Sequence, residues 1–186
     1  DVNFEQVLIN LGYDSGVPDG MVTTSNINTV VTLDVSGSNI TDLSGIEDFV
    51  LLEELVCRDN ALTSLDLSQN TSLKTLICSQ NSITSLDMTQ NTFLSYLDCD
   101  TNQIASIDVS QNMILLTLSC TYNQLASLDV TQCISLVELY CFYNYLSTLD
   151  VSNNTKLTTL ACNHNNLEGL DVSQNIVLTS LNAHHN

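Results

Sequence analysis

Three rows of identical residues recur every 21 residues along this 186-residue chain. One row contains only cysteine, one only asparagine and one only aspartate. The cysteine row comprises Cys57, Cys78, Cys99, Cys120, Cys141 and Cys162, the asparagine row Asn60, Asn81, Asn102, Asn123, Asn144, Asn165 and Asn186, and the aspartate row Asp66, Asp87, Asp108, Asp129, Asp150 and Asp171. Three rows in one register predict a repeat solenoid, in which each coil buries its apolar side chains against the next coil.

Within a coil, apolar residues alternate with polar ones, which is the period of a β-strand. Leu76 and Cys78 show this alternation in one half of a coil, and Leu65 and Leu67 show it in the other half. Neither half has the 3.6-residue period of a helix. The sequence therefore predicts a mainly β solenoid with two short strands in each 21-residue coil.

The first residues follow a different pattern, which is typical of an amphipathic helix. Its apolar positions are Phe4, Val7, Leu8 and Leu11. A helix over about residues 3–12 is expected, with Asn3 as its N-cap and Gly12 at its end. Such a helix would cover the open end of the apolar core.

These patterns divide the chain into two parts. Residues 1–26 are predicted to form an N-terminal cap, made of the helix and a turn, and residues 27–186 a solenoid of about seven to eight coils. Because the last residues belong to an ordinary repeat without a cap, we expect the solenoid to be truncated at its C-terminal end.

The charge balance excludes several classes of partner. The chain has three Lys or Arg residues against 21 Asp or Glu, a net charge of −18. Phosphate backbones and anionic lipid surfaces need basic residues, so binding to nucleic acid or to membrane surfaces is not expected. No apolar run reaches the roughly 18 residues of a membrane-spanning helix, so membrane insertion is not expected either.

The asparagine and cysteine rows are best interpreted as structural. Stacked asparagines can satisfy buried backbone groups of neighbouring coils, and one cysteine per coil suits a small buried apolar residue. A second asparagine row, offset from the first, comprises Asn70, Asn91, Asn112, Asn154 and Asn175. Cys133 interrupts this second row, and we expect it to be a free thiol nearer the surface.

The aspartate row allows two interpretations. Its members have Ser or Thr as outward neighbours, so hydrogen bonds to these hydroxyls and to turn amides could offset the repulsion between stacked carboxylates. The alternative is a row of weak Ca²⁺ sites formed by Asp66, Asp87, Asp108, Asp129, Asp150 and Asp171. No other cofactor or metal is predicted. A pair among His164, His184 and His185 could bind a metal, but these are interpreted as surface polar residues.

One coil carries four aromatic residues in six positions: Tyr140, Phe142, Tyr143 and Tyr145. Because Leu139 fills the core beside Cys141, these aromatics are expected to project outward, where aromatic clusters typically bind partners. The predicted ligand-binding residues are Tyr96, Asp98, Asp100, Tyr122, Glu138, Tyr140, Phe142, Tyr143, Tyr145 and His164. The acidic members would orient a cationic or hydroxylated ligand. The register also places Tyr122, Tyr143, His164 and His185 in one row.

The repeats resemble a known family. "LKTLICSQNSI" is similar to the leucine-rich-repeat consensus, with Cys in the third apolar slot, and "LTSLDLSQN" resembles the irregular 21-residue bacterial class. Residues Ile40 to Asn60 resemble the 22-residue repeats of internalin-like proteins, and "DVNFEQVLINLGYDSGVPDG" resembles the cap of secreted proteins from marine Bacteroidetes. The resemblance covers about residues 27–186 and implies a right-handed solenoid that binds other molecules on its concave sheet without catalysis.

No set of catalytic residues emerges. The sequence therefore predicts a non-enzymatic extracellular recognition module, secreted or at the cell surface, which is a monomer and binds a protein or a polysaccharide. Two alternatives remain: a structural stalk or spacer within a larger surface protein, and a solenoid that weakly binds divalent cations.

Overall fold

The computed structural model describes all 186 residues, and short parallel strands run through most of it. Ten strands of three residues follow one another: β1 (Thr32–Asp34), β2 (Glu54–Val56), β3 (Thr75–Ile77), β4 (Ser85–Asp87), β5 (Tyr96–Asp98), β6 (Ser106–Asp108), β7 (Thr117–Ser119), β8 (Glu138–Tyr140), β9 (Thr159–Ala161) and β10 (Ser180–Asn182). Eight of them form one sheet in the order β1-β2-β3-β5-β7-β8-β9-β10.

The register of this sheet follows the sequence period. Leu76 pairs with Leu97, and Leu97 pairs with Leu118, so each strand lies beside its counterpart 21 residues later. Between β1 and β2 the offset is 22 residues, since Leu33 pairs with Leu55. The longer first coil also contains a 3₁₀ helix at Ile46–Asp48. The prediction of a mainly β repeat solenoid is confirmed, and its main sheet is parallel.

The second half of the coil differs from the prediction. Only β4 and β6 form a second sheet, in which Leu86 pairs with Ile107. The other coils place apolar side chains inward at this position without forming strands. The prediction of two strands in every coil is therefore wrong, because side-chain alternation sets which residues are buried but not whether neighbouring backbones come close enough to hydrogen-bond.

One continuous apolar core of 43 buried residues runs along the solenoid. The six row cysteines are buried in it, as predicted. Cys133 is also fully buried, which corrects the expectation that it lies nearer the surface. It takes the place of an asparagine amide facing the core, and its Sγ–H donates to the Val109 carbonyl at 3.5 Å.

The two asparagine rows satisfy the backbone to different degrees. In the first row, Asn102 donates through Nδ2 to the carbonyls of Cys78, Cys99 and Asp100, and its Oδ1 accepts from the Ile83 N–H. In the second row, each asparagine donates to two carbonyls, but its Oδ1 is buried without a partner. Both rows are structural, as the sequence predicts.

A helical cap covers the first coil. Helix α1 (Val2–Asn10) begins one residue earlier than expected, and Asp1 is its N-cap instead of Asn3, because the Asp1 carboxylate accepts from the Asn3 and Phe4 N–H groups. A second helix, α2 (Thr24–Ile27), follows. Phe4 packs on Phe49 of the first coil, with ring centroids 6.4 Å apart. No helix is both long and apolar enough to cross a bilayer.

Candidate functional site

The turn that follows each main-sheet strand after β1 holds one residue in the left-handed backbone region. From β2 onward these residues are Asp59, Gln80, Thr101, Tyr122, Tyr143, His164 and His185, with φ between 51° and 56°. Asn, Asp and His are enriched in this region, whereas tyrosine is not. A residue with a side chain costs about 1–2 kcal/mol there. Two adjacent tyrosines thus occupy positions that backbone preference alone does not favour.

These turns stack four rings into an aromatic row, defined as Tyr122, Tyr143, His164 and His185. The centroid distance is 4.5 Å between Tyr122 and Tyr143, 4.1 Å between Tyr143 and His164, and 4.6 Å between His164 and His185. The first two pairs are nearly parallel, with interplanar angles of 14° and 6°. The single row expected from the register is thus present in the structure.

The aromatic row is largely open to solvent. Tyr122 is 51% exposed, Tyr143 is 41% exposed and Tyr145, which lies beyond the turn, is 60% exposed. Phe142 is half-buried and packs edge-on against Tyr122 at 5.6 Å. A shallow depression of about 360 Å³ lies here, between Tyr143, Tyr145 and the two histidines of the row.

His184 extends this cluster, although the sequence does not predict it as a ligand-binding residue. Its ring meets those of His164 and His185 edge-on, at centroid distances of 5.2 and 4.6 Å. Desolvation, together with His185 and His184, lowers the pKa of His164, which favours the neutral imidazole. The 21-residue spacing of His164 and His185 was the available signal for this cluster.

The remaining predicted residues lie on the outward face of the strands. Tyr96 and Glu138 share one row of the sheet with Thr117 between them, so they are about 10 Å apart. Asp98 and Tyr140 share the neighbouring row. Burial and then the carboxylates of Asp98, Asp100 and Glu138 raise the pKa of Tyr96, while burial and Glu138 raise that of Tyr140. Both phenols are therefore neutral hydrogen-bond donors at physiological pH.

Asp100 is engaged within the protein. Its carboxylate accepts from the Ser119 hydroxyl at 2.8 Å and from the Thr121 N–H at 2.6 Å. Burial, with a smaller contribution from the Asp98 carboxylate, raises the pKa of Asp100 although these hydrogen bonds act in the opposite direction. Asp98 accepts from the Ser79 hydroxyl at 3.0 Å. Both carboxylates thus help to fix neighbouring coils in register.

The aspartate row lies in the other half of the coil. Each member accepts a hydrogen bond from the backbone N–H of the Ser or Thr two residues later. These bonds, together with hydrogen bonds from the Ser and Thr hydroxyls, lower the pKa of Asp66, Asp87, Asp150 and Asp171. For Asp129 the Thr131 hydroxyl is the largest cause of the lowered pKa, followed by the Thr131 N–H. Hydrogen bonding to turn amides is confirmed, and Ca²⁺ binding by this row stays a prediction.

The chain is similar to several known proteins. No protein-family model matches it. Over 50 residues, or 27% of the chain, it is 45% identical to Internalin J of Listeria monocytogenes serotype 4b (strain F2365), and this stretch is 6% of that protein. A solved structure described as the functional domain of InlJ from Listeria monocytogenes, including a cysteine ladder, aligns with all of this chain at 36% identity and a TM-score of 0.77. This chain spans 46% of that structure.

Further solved structures support the fold alone. A leucine-rich-repeat protein of Leptospira interrogans aligns with 86% of this chain at 23% identity and a TM-score of 0.79, and the chain covers 44% of it. The leucine-rich-repeat domain of APL1B aligns with 92% at 23% identity and a TM-score of 0.70. The resemblance of the first 20 residues to caps from marine Bacteroidetes stays a prediction.

The match to the InlJ domain extends along the whole chain. It agrees with three features of the structure: the 22-residue first coil, the parallel sheet at 21-residue spacing and the buried cysteine row. A fold of this kind implies a protein-interaction module. The chain is an internalin-like leucine-rich-repeat protein with a solenoid fold.

Proposed function

We propose that this chain is a non-enzymatic extracellular recognition module that binds a protein ligand through its exposed Tyr/Phe patch. The patch comprises Tyr122, Phe142, Tyr143 and Tyr145, with Tyr96 and Tyr140 on the adjoining strands. One observation carries the proposal: tyrosines occupy left-handed turn positions where their rings stack in the open instead of filling the core.

Energetics support a binding role for this arrangement. The core positions of the same coil are already filled by Leu139 and Cys141, which are fully buried. Tyrosine supplies a large contact area with few rotatable bonds and a polar tip, so it is a frequent anchor at protein interfaces. Stacking further restricts Tyr143 before a ligand arrives, which lowers the entropic cost of binding.

Charge narrows the class of ligand. The chain carries a net charge of −18, and Glu138 is on the same sheet face as the patch. Of the three basic residues, Lys74 is already paired with Glu53 at 2.8 Å. A protein with a basic surface is therefore the partner that the patch fits best, since opposite potentials raise association rates.

A secreted or cell-surface location fits this role and rests on the similarity to the InlJ domain. A glycan is the second candidate ligand, because exposed tyrosine rings can stack on sugar rings. A structural spacer is the third, and it requires no ligand at all.

The test is biolayer interferometry of the purified chain against arrays of basic secreted or surface proteins and of polysaccharides. The patch variant combines Tyr143→Asn, which keeps a residue suited to the left-handed turn, with Tyr145→Ser. The control variant is Phe93→Ser, which removes an aromatic of similar exposure, 58%, from a turn outside the patch.

A saturable protein signal that the patch variant loses and the Phe93→Ser control retains is the expected result. Glycan binding with the same mutational pattern would replace the protein ligand with a carbohydrate. Binding that survives in the patch variant would place the site elsewhere, and no binding in either array would favour the spacer.

A further inference from the structure

Three imidazoles meet at the end of the aromatic row. His164 follows β9, and His184 and His185 follow β10, so consecutive coils bring them together. One ring nitrogen can be taken from each such that all three lie within 4.8 Å of one another. These are the three histidines of the chain, so every imidazole that the sequence contains is in this cluster.

The spacing is close to that of a metal site. Zinc–nitrogen bonds of about 2.0–2.1 Å in a tetrahedron place two ligand nitrogens about 3.3 Å apart. The three imidazole nitrogens are at most 4.8 Å apart, so a shortening of about 1.5 Å or less would bring each pair to the spacing of a tetrahedral zinc site. His184 and His185 are exposed, so their side chains can rotate by this amount without disturbing the core.

A neighbouring asparagine supplies an independent observation. Asn163 is 6% exposed, and its Oδ1 is buried without a hydrogen-bond partner. It is the one such amide outside the second asparagine row. Asn163 precedes His164 in the chain and occupies the position of His184 one coil earlier. Metal-bound histidines usually donate their other ring N–H to an oxygen acceptor, and the Asn163 amide oxygen, one residue from His164 in the chain, is unpaired.

We propose that His164, His184 and His185 bind one first-row transition-metal ion, Zn²⁺ or Cu²⁺, through three imidazole nitrogens, with the remaining coordination position open to water. Imidazole ligands favour these ions over Ca²⁺ and Mg²⁺, which prefer oxygen. The site is distinct from the aspartate row and does not depend on the ligand of the Tyr/Phe patch.

The first experiment is isothermal titration of metal-free protein with ZnCl₂ at pH 7.5, in the presence and absence of millimolar CaCl₂. We expect one saturable site per chain, unaffected by Ca²⁺. His185→Gln should weaken it by about tenfold or more, and the double variant His184→Gln/His185→Gln should lose it. Asp150→Asn/Asp171→Asn is the matched control, because it removes two carboxylates of the same end coils and should leave Zn²⁺ affinity unchanged.

A second readout uses tyrosine fluorescence, since the chain has six tyrosines and no tryptophan. The Tyr143 ring centroid is 4.1 Å from that of His164, so Cu²⁺ bound at His164 would lie next to Tyr143. One equivalent should therefore quench part of the emission. Tyr143→Phe should reduce this quenching without changing the titration with Zn²⁺. Circular dichroism of each variant confirms that the fold is retained.

The proposal is overturned if the double histidine variant binds Zn²⁺ as tightly as the parent chain, or if Ca²⁺ displaces the ion, since carboxylates would then hold it. Absence of saturable Zn²⁺ and Cu²⁺ binding in the parent chain would overturn it as well.

Discussion

The two asparagine rows offer a matched pair of mutations in a single coil. Asn102→Ala and Asn112→Ala remove the same atoms from buried positions ten residues apart. Asn112 is the more deeply buried, at 0% exposure against 9% for Asn102. Burial alone therefore predicts that Asn112→Ala is the more destabilising change.

Hydrogen bonding predicts the opposite order. Asn102 is the only acceptor for the Ile83 N–H, so its loss leaves a buried donor unpaired, at a cost of about 1–3 kcal/mol. Loss of the Asn112 side chain leaves no buried group unpaired. The Met88 and Asn91 carbonyls, which accept from Asn112, each still accept from a backbone N–H, at 3.1 and 2.9 Å respectively. It also removes an Oδ1 that was buried without a partner.

We therefore expect Asn102→Ala to lower the free energy of unfolding by about 2 kcal/mol more than Asn112→Ala. For a chain of this size the difference corresponds to about 4–8 °C in melting temperature. Urea unfolding followed by far-UV circular dichroism measures it, provided that both variants keep the same denaturant slope. Equal losses, or a larger loss for Asn112→Ala, would refute the assignment of the Oδ1 acceptor as the decisive contact.

Three further predictions follow from burial and charge. Burial raises the pKa of Cys133 and Cys162 to about 11, so we expect no reaction of the seven thiols with a disulfide reagent at pH 8 until the chain unfolds. Folding raises the pKa of Asp100, so its ionised carboxylate lowers the stability of the folded chain at any pH above its pKa in the unfolded chain. We therefore expect Asp100→Asn to raise the urea midpoint at pH 7, where Asp100 is ionised, and to leave it unchanged near pH 2, where Asp100 is protonated in both states. In each member of the aspartate row, one carboxylate oxygen already accepts a hydrogen bond from a turn amide. We therefore expect 5 mM Ca²⁺ to raise the melting temperature no more than 5 mM Mg²⁺ does. A rise specific to Ca²⁺ would instead support Ca²⁺ binding by this row.

The periodicity determines most of the fold in advance. Leu76 and Cys78 recur with their neighbours every 21 residues, and the structure pairs these positions strand by strand. The 22-residue step at Leu33 and Leu55 could also be read from the spacing. These predictions succeed because a parallel stack places equivalent residues of successive coils side by side.

Other features depend on contacts that spacing does not contain. The cap of α1 is Asp1, whose carboxylate also accepts from Thr41, 40 residues away. Cys133 is buried because the backbone turn fixes the direction of that side chain, whatever its polarity. Likewise, the sequence predicts that Asp100 lies on the outward face. It does not predict the hydrogen bond that the Ser119 hydroxyl of the next coil donates to the Asp100 carboxylate.

The candidate site was predictable as a set of exposed aromatics but not as a geometry. The 21-residue register predicts that Tyr122, Tyr143, His164 and His185 form one row. The left-handed backbone conformation that presents these rings could not be predicted, because tyrosine and threonine are not typical of that conformation. The approach of His184 to His164 depends on side-chain rotation at the turn and could not be predicted.

The repeated left-handed turn has a consequence for how such a surface can change. Its backbone hydrogen bonds are made whether the residue is Asp59, Gln80, Thr101 or Tyr122, because the neighbouring coils supply donors and acceptors of the main chain. Surface composition at this position is therefore separable from core packing. Inserting or deleting one 21-residue unit would lengthen or shorten the row of presented side chains by one member, so selection can vary specificity by recombination between repeats while the interior stays the same.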